Sequence, residues 1–265
     1  MTFLLDVVSN VVANAAFWLL LGATFWLVSR FSQARFNRFF GTSSTGRVVV
    51  VLSNLWKAAE SRRPVGYTIS LHESLAGQRI NALLAAAPLR LPDAVRGLVD
   101  ALWLRSRTEC VLEVSPPTGG DLDVTGTLIV IGGSGRNSVR GRHLEQGLPR
   151  AALVYESPDG AQVSPSDNRE VIVRRSGGDI QRIRSQQGVA IIEKVILPEH
   201  HRTVFYCAGA RSDSTWIATE YLVRHWRRLD REFGEDPFVI CLAVPLPDIY
   251  SADYHEPIVL ATIRP

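Results

Sequence analysis

Two short segments hold the residues whose types and spacing suit chemistry. The first, LIVIGGSGRNSVRGRH (Leu128 to His143), runs an apolar stretch into Gly132, Gly133 and Gly135 and then supplies Arg136, Asn137, Arg140 and Arg142. Glycines leave backbone N–H groups open to an anion, and arginine adds a planar, permanently charged fork for phosphate or carboxylate. The second, VFYCAGARSDSTWIATE, ends an apolar run at Ala208 and Gly209, passes Arg211, Ser212, Asp213, Ser214 and Thr215, and enters a stretch with helical spacing. Hydroxyls and the amides of a helix start favour the same ligand class. If both segments follow strands, they open at carboxyl ends of a sheet, where ligands of open α/β folds bind. Arg136 and Arg211 would then meet one anion from two sides.

Each segment also has a plainer reading. The first is equally a tight turn followed by a solvated basic stretch, and the second equally an ordinary helix start capped by Ser212, Asp213 or Ser214. Sharper motifs fail on spacing. A nucleophile elbow needs G-x-S-x-G, but Arg136 follows Gly135; a P-loop needs Lys after its second glycine, but Arg142 follows Gly141. A dinucleotide fingerprint starting at Gly133 and Gly135 meets Ser138 where its third glycine belongs. For catalysis, Asp213 and Glu220 are the candidate acids or bases, and Glu220 reads also as a charge on a helix face.

The pairing of IGGSGRN with FYCAGARSDSTWIATEYL resembles Rossmann-like nucleotide-binding domains of the LOG type. It is similar also to a pattern in prokaryotic α/β proteins, a strand ending GGxxxN and a later strand ending in glycine before a helix that carries threonine and a small residue. The resemblance covers these two segments of the chain. It implies a Rossmann-like fold and a nucleotide or related phosphorylated ligand. Ser214-Thr215 stands where the family has Gly-Thr, and Glu220 lies five positions beyond Thr215 instead of three, so the family's phosphoribohydrolase chemistry is not carried over.

These loops need a scaffold, and the rest of the chain supplies one. RVVVVLS (Arg47 to Ser53), GYTISL (Gly66 to Leu71), ECVLEV, TLIVIGG, AALVYE, REVIVRR, QQGVAIIEKVIL, RTVFYCAGA, FVICLAVP and PIVLATI read as strands. Ser74 to Ala87, Pro92 to Leu104 and STWIATEYLVRHWRRL have apolar residues at helical spacing, and Asp159-Gly160 fits a hairpin turn. Alternation of the two patterns predicts one α/β domain with a Rossmann-like, mixed or mainly parallel sheet and flanking helices.

Composition narrows the partners. The 46% hydrophobic content is enough for a sizeable core, and 29 basic against 26 acidic residues leave no global field for nucleic acid. Cys110, Cys207 and Cys241 sit in apolar runs without paired spacing, and the six histidines form no metal-ligand pattern. No metal is expected, and no motif identifies a cofactor.

The start of the chain has a different character. Val11 to Val28 carries no charge, and a helix of that length rises about 27 Å, close to the hydrocarbon thickness of a bilayer. No Lys or Arg precedes it, which argues against a cleaved signal peptide, and Arg30, Arg35 and Arg38 follow it. The positive-inside rule then predicts a single-pass cell-membrane protein with its N-terminus outside. Residues 1–10 form a short outer segment, 11–29 the transmembrane helix, 30–46 a basic-aromatic juxtamembrane segment and linker, and 47–265 a cytoplasmic domain. In RFSQARFNRFF, the spacing of Phe31, Phe36, Phe39 and Phe40 among arginines predicts a helix lying on anionic lipid. Asp6, Asn10 and Asn14 repeat every four residues, a face suited either to a second copy of the helix in a homo-oligomer or to the outer interface. The sequence thus predicts a membrane-anchored cytoplasmic domain that binds a nucleotide-like ligand as a sensor or signalling module. The alternatives are a nucleotide-processing hydrolase and a non-enzymatic membrane scaffold.

Overall fold

A computed structural model of the chain describes residues 2–42, 46–53, 69–85, 109–114, 126–133, 137–153, 170–174, 178–185, 187–197, 202–245 and 254–264. Its first element is a continuous helix, α1 (Thr2–Phe40). Within it, Val12–Phe40 contains an 18-residue stretch of mean hydropathy 1.6, long and apolar enough to cross a membrane, and none of that stretch is buried.

The last turns of α1 behave differently. Phe36, Phe39 and Phe40 are fully buried, packed on Phe205, Trp226 and Phe238 with ring centroids 5.2–6.5 Å apart. Phe31 alone of the four phenylalanines is exposed. The segment read as an interfacial helix is therefore part of the core, and the folded unit begins before Arg47. A stripe at i, i+3 and i+4 suits lipid and protein interior equally, and the sequence could not distinguish them. The helix ends at Gly41, whose φ of 68° is left-handed, and a Cβ there would lie 2.2 Å from Thr203 Oγ1. Thr127 Oγ1 donates to Phe40 O at 2.6 Å and ties this end to the sheet.

The central sheet is built from β1 (Arg47–Leu52), β2 (Glu109–Val114), β3 (Thr127–Ile131), β7 (Gly188–Leu197), β8 (Arg202–Gly209), β9 (Phe238–Val244) and β10 (Ile258–Ile263), in the order β10-β9-β7-β8-β3-β1-β2. β2, β1, β3 and β8 are parallel neighbours, and the pairs from β8 through β7 and β9 to β10 are antiparallel. Five of the seven strands thus share one direction. The fold is α/β with a mixed, mostly parallel sheet.

Runs such as RVVVVL and FVICLAV are apolar on both faces because both faces are covered. On one face lie the end of α1, α2 (Leu71–Ala85) and the long helix α4 (Ser212–Phe233), over Val48, Val50, Ile129, Ile131, Phe205 and Cys207. On the other lies α3 (Ser138–Glu145), over Val49, Val51, Val130 and Tyr206. Beside it packs a separate antiparallel sheet of β4 (Ala151–Leu153), β5 (Glu170–Arg174) and β6 (Ile180–Arg184). The sequence predicts one sheet for the domain; β4 and β5 instead pair in this second sheet with β6, whose IQRIR is too polar to stand out as a strand.

One further boundary moves. Leu71, read as the end of a strand, opens α2; Ser70 Oγ accepts from Glu73 N at 3.2 Å, the S-x-x-E start of a helix. The helix expected over Pro92 to Leu104 and the turn at Asp159-Gly160 lie outside the described residues.

Candidate functional site

β8, β3 and β1 lie side by side and parallel, so their carboxyl ends open on one edge of the sheet. Gly132 extends the β3–β8 ladder, donating from its N–H to Cys207 O at 2.9 Å. Its φ is 114°, and a Cβ would fall 1.7 Å from Ser53 Oγ and 3.1 Å from Glu73 Oε1. No side chain fits there. Ser53 Oγ in turn donates to Ile131 O at 3.1 Å.

Asn137 is wholly buried and acts as a clamp. Its Nδ2 donates to Ile131 O at 3.0 Å and Val51 O at 3.4 Å, and its Oδ1 accepts from Arg140 N at 3.2 Å. It joins the ends of β1 and β3 and starts α3, which makes it a positioning residue for the loop. Gly133 is half-buried beside it, and its carbonyl accepts from Asn137 N at 2.9 Å. Gly135 and Arg136 lie outside the described residues.

Across the same edge, Gly209 closes β8 against the first turn of α4. A Cβ on Gly209 would come within 2.5 Å of both Ser214 Cβ and Thr215 N. Instead its N–H donates to Thr215 Oγ1 at 2.9 Å, and that hydroxyl donates to Arg211 O at 3.1 Å. The helix was expected to be capped by Ser212, Asp213 or Ser214; the cap position is Arg211, which makes no side-chain capping hydrogen bond. Asp213 Oδ1 accepts from Ser214 N at 2.6 Å, and its Oδ2 pairs with Arg211 Nη2 at 2.8 Å. Gly132, Gly133, Gly209, Arg211, Ser214 and Thr215 therefore gather at one edge.

Two sequence candidates point elsewhere. Arg140 is buried under the second face, where its Nη2 donates to Ala151 O at 3.0 Å and its guanidinium lies 5.1 Å from the Tyr206 ring centroid. Beside it, His143 Nδ1 and Tyr206 OH share a 2.7 Å hydrogen bond. Glu193 accepts there from Arg150 N at 2.6 Å and Ala151 N at 3.2 Å, and burial raises its carboxyl to about 7. Glu220 sits between α2 and α4, 2.8 Å from Arg224 Nε and 3.3 Å from Arg79 Nε. Both side chains serve packing.

Sequence reasoning passed over Ser53 and Glu73, which line the edge under Gly132. Their signals were a polar residue directly after a strand run and the S-x-x-E helix start. At this edge the amides of Gly132, Gly209 and Thr215 and the hydroxyls of Ser53 and Thr215 are engaged within the fold, so an anion entering here would compete with Asp213 for the half-buried Arg211. Burial raises the Cys207 thiol to about 12, so it is no nucleophile. Among the described residues no group of three His, Cys, Asp or Glu side chains could hold a metal. Compared with models of known protein families and with curated proteins, the chain matches none.

Proposed function

We propose that this chain is a single-pass membrane protein whose cytoplasmic, Rossmann-like domain binds a nucleotide or related phosphorylated small molecule, as a sensor or signalling module. One observation carries the reading. β3 and β8 are hydrogen-bonded parallel neighbours, so Gly132 and Gly133 after β3 lie beside the first turn of α4 after β8. Two donor-rich loops at adjacent carboxyl ends are the usual ground for such ligands in α/β sheets. The charge-free run from Val11 to Val28 supports the anchor, and Arg30, Arg35 and Arg38 following it support a cytoplasmic domain. A binding role is preferred to hydrolysis because Asp213 and Glu220 are both held in ion pairs.

The test is thermal unfolding of the full chain in nanodiscs against a panel of nucleotides and sugar phosphates. A true ligand at a hundredfold excess over its Kd stabilises by about 2.7 kcal/mol. Arg136→Ala should abolish that gain and leave the unliganded melting temperature nearly unchanged. If no phosphorylated compound shifts the wild type, the binding reading fails and the scaffold role takes its place. A reporter fused after Pro265 checks the topology, and activity outside the cell would reverse it.

A further inference from the structure

α4 carries a second feature, distinct from its first turn. Arg224, Arg227, Arg228 and Arg231 are all exposed. They stand at i, i+3, i+4 and i+7, one stripe on the side opposite the buried Leu222, Leu229 and Phe233. Aromatic rings steady three of the guanidinium groups, Arg224 at 4.0 Å from Tyr254, Arg227 at 4.8 Å from Trp226 and Arg228 at 5.5 Å from Tyr221. The charges are thereby held close to the helix surface. Arg224 is paired with Glu220 at 2.8 Å, Glu256 sits on His225, and the exposed Glu232, Glu235 and Asp236 follow at the end of the helix, so the positive field of the stripe centres on Arg227, Arg228 and Arg231.

The stripe lies beside the anchor. Asp230, next to Arg231 and one turn from Arg227, is held by Arg35 Nε at 2.8 Å and by Arg38 Nη2 at 3.5 Å. Arg35 stands seven residues beyond Val28, the end of the charge-free run, a helical rise of about 10 Å. Because α1 is unbroken over this interval, the distance is fixed. The polar layer of a bilayer leaflet is about 5–8 Å thick, and electrostatic reach at physiological salt adds about 8 Å. Arg227 and Arg231, one turn before and one residue after Asp230, flank the point at which α4 meets α1 at this height.

We propose that the arginine stripe of α4 is a second membrane contact, docking this face of the domain on anionic phospholipid headgroups. The proposal rests on the reading that α1 spans the bilayer. Arginine suits the role because its fork meets a lipid phosphate with two parallel hydrogen bonds. The contact is made by the folded domain, in place of the juxtamembrane phenylalanines that the core takes up.

The experiment uses the full wild-type chain in nanodiscs of phosphatidylcholine alone or with about one-third phosphatidylserine. Phenylglyoxal modification of each arginine is read by peptide mass spectrometry. Arg224, Arg227, Arg228 and Arg231 should be protected several-fold in the anionic discs, and high salt should remove the protection. Arg182 and Arg184, exposed on β6 behind the opposite face of the sheet, should react alike in both. Equal reactivity of the stripe in the two lipids overturns the proposal while leaving the anchor intact. Failure of the chain to co-elute with discs of either composition overturns the membrane reading itself.

Discussion

The two ends of α4 are built on opposite principles. Its last turns meet α1 through large side chains: Phe36, Phe39 and Phe40 pack against Trp226 and the strands below, with Asp230 and Lys194 buried among them. Its first turn meets β8 through missing side chains, since Gly209 lets Ser214 and Thr215 approach to a distance that no Cβ tolerates. The lower end is specified by volume and the upper end by backbone proximity. The first joint is filled by side-chain volume, whereas the second is held by hydrogen bonds between closely spaced backbone and hydroxyl groups.

The largest test of this contrast removes the lower end outright. A chain starting at Arg47 lacks all three buried phenylalanines, each worth about 3–5 kcal/mol by truncation to alanine, against a typical total stability of 5–15 kcal/mol. It should fail to fold, while one starting at Arg30 should give a cooperative urea transition. Cooperative unfolding of the shorter chain would show that the helix only rests on the domain.

Lys194 sharpens the picture of the lower end through pH. Its Nζ donates to Gly234 O at 2.7 Å and lies 4.9 Å from the Phe39 ring centroid, and burial lowers its pKa to about 8 from an ordinary value of 10.5. The folded state therefore disfavours the charged form. This cost is fully present below pH 8 and fades as pH rises from about 8 to 10.5, so stability from this group increases across that window. The gain is at most about 3 kcal/mol. Lys194→Met should flatten the rise in urea-derived stability relative to wild type; an unchanged profile would mean that the ammonium is well solvated.

At the upper end, Gly209→Ala must push strand and helix apart, at a cost of about 1–3 kcal/mol. It should also lower nucleotide-induced stabilisation more than the equally small change Ala208→Gly. Equal losses for the two variants would disconnect the edge from binding. The smallest effect is expected at Asp230→Asn. It weakens the pairing to Arg35 and Arg38, whose side chains are 43% and 50% exposed, so about 1–2 kcal/mol is expected by denaturant titration.

Much of the sheet was legible because uninterrupted β-branched runs such as RVVVVL and TLIVI have few other homes. The two loops were legible as strand ends for the same reason. Strand order was not, since it depends on pairings such as β8 beside β3 that are 76 residues apart at Leu128 and Val204. Arg140 illustrates a second blind spot. Two residues after the loop its charge looked available, yet the start of α3 turns it beneath the small sheet, where Ala151 O and Tyr206 take it up. Glu220 reads in the sequence as a catalytic acid or a helix-face charge; the fold buries it and pairs it with two arginines, one on a helix far away in sequence. Phe36, Phe39 and Phe40 were visible as an apolar stripe, but one-dimensional spacing says nothing about which apolar phase receives it.

The unbroken course of α1 has a mechanical consequence. Its 39 residues make a rod of about 58 Å, and its end is wedged into the core with no glycine or proline hinge between Gly22 and Gly41. Transmembrane helices answer a change in bilayer thickness by tilting, on average to about 20° from the normal. With its end fixed in the sheet, α1 in a bilayer turns the domain through the same angle as it tilts. In a bilayer, lipid thickness would then set the angle of the glycine edge to the membrane plane, as a gauge needle follows its spindle.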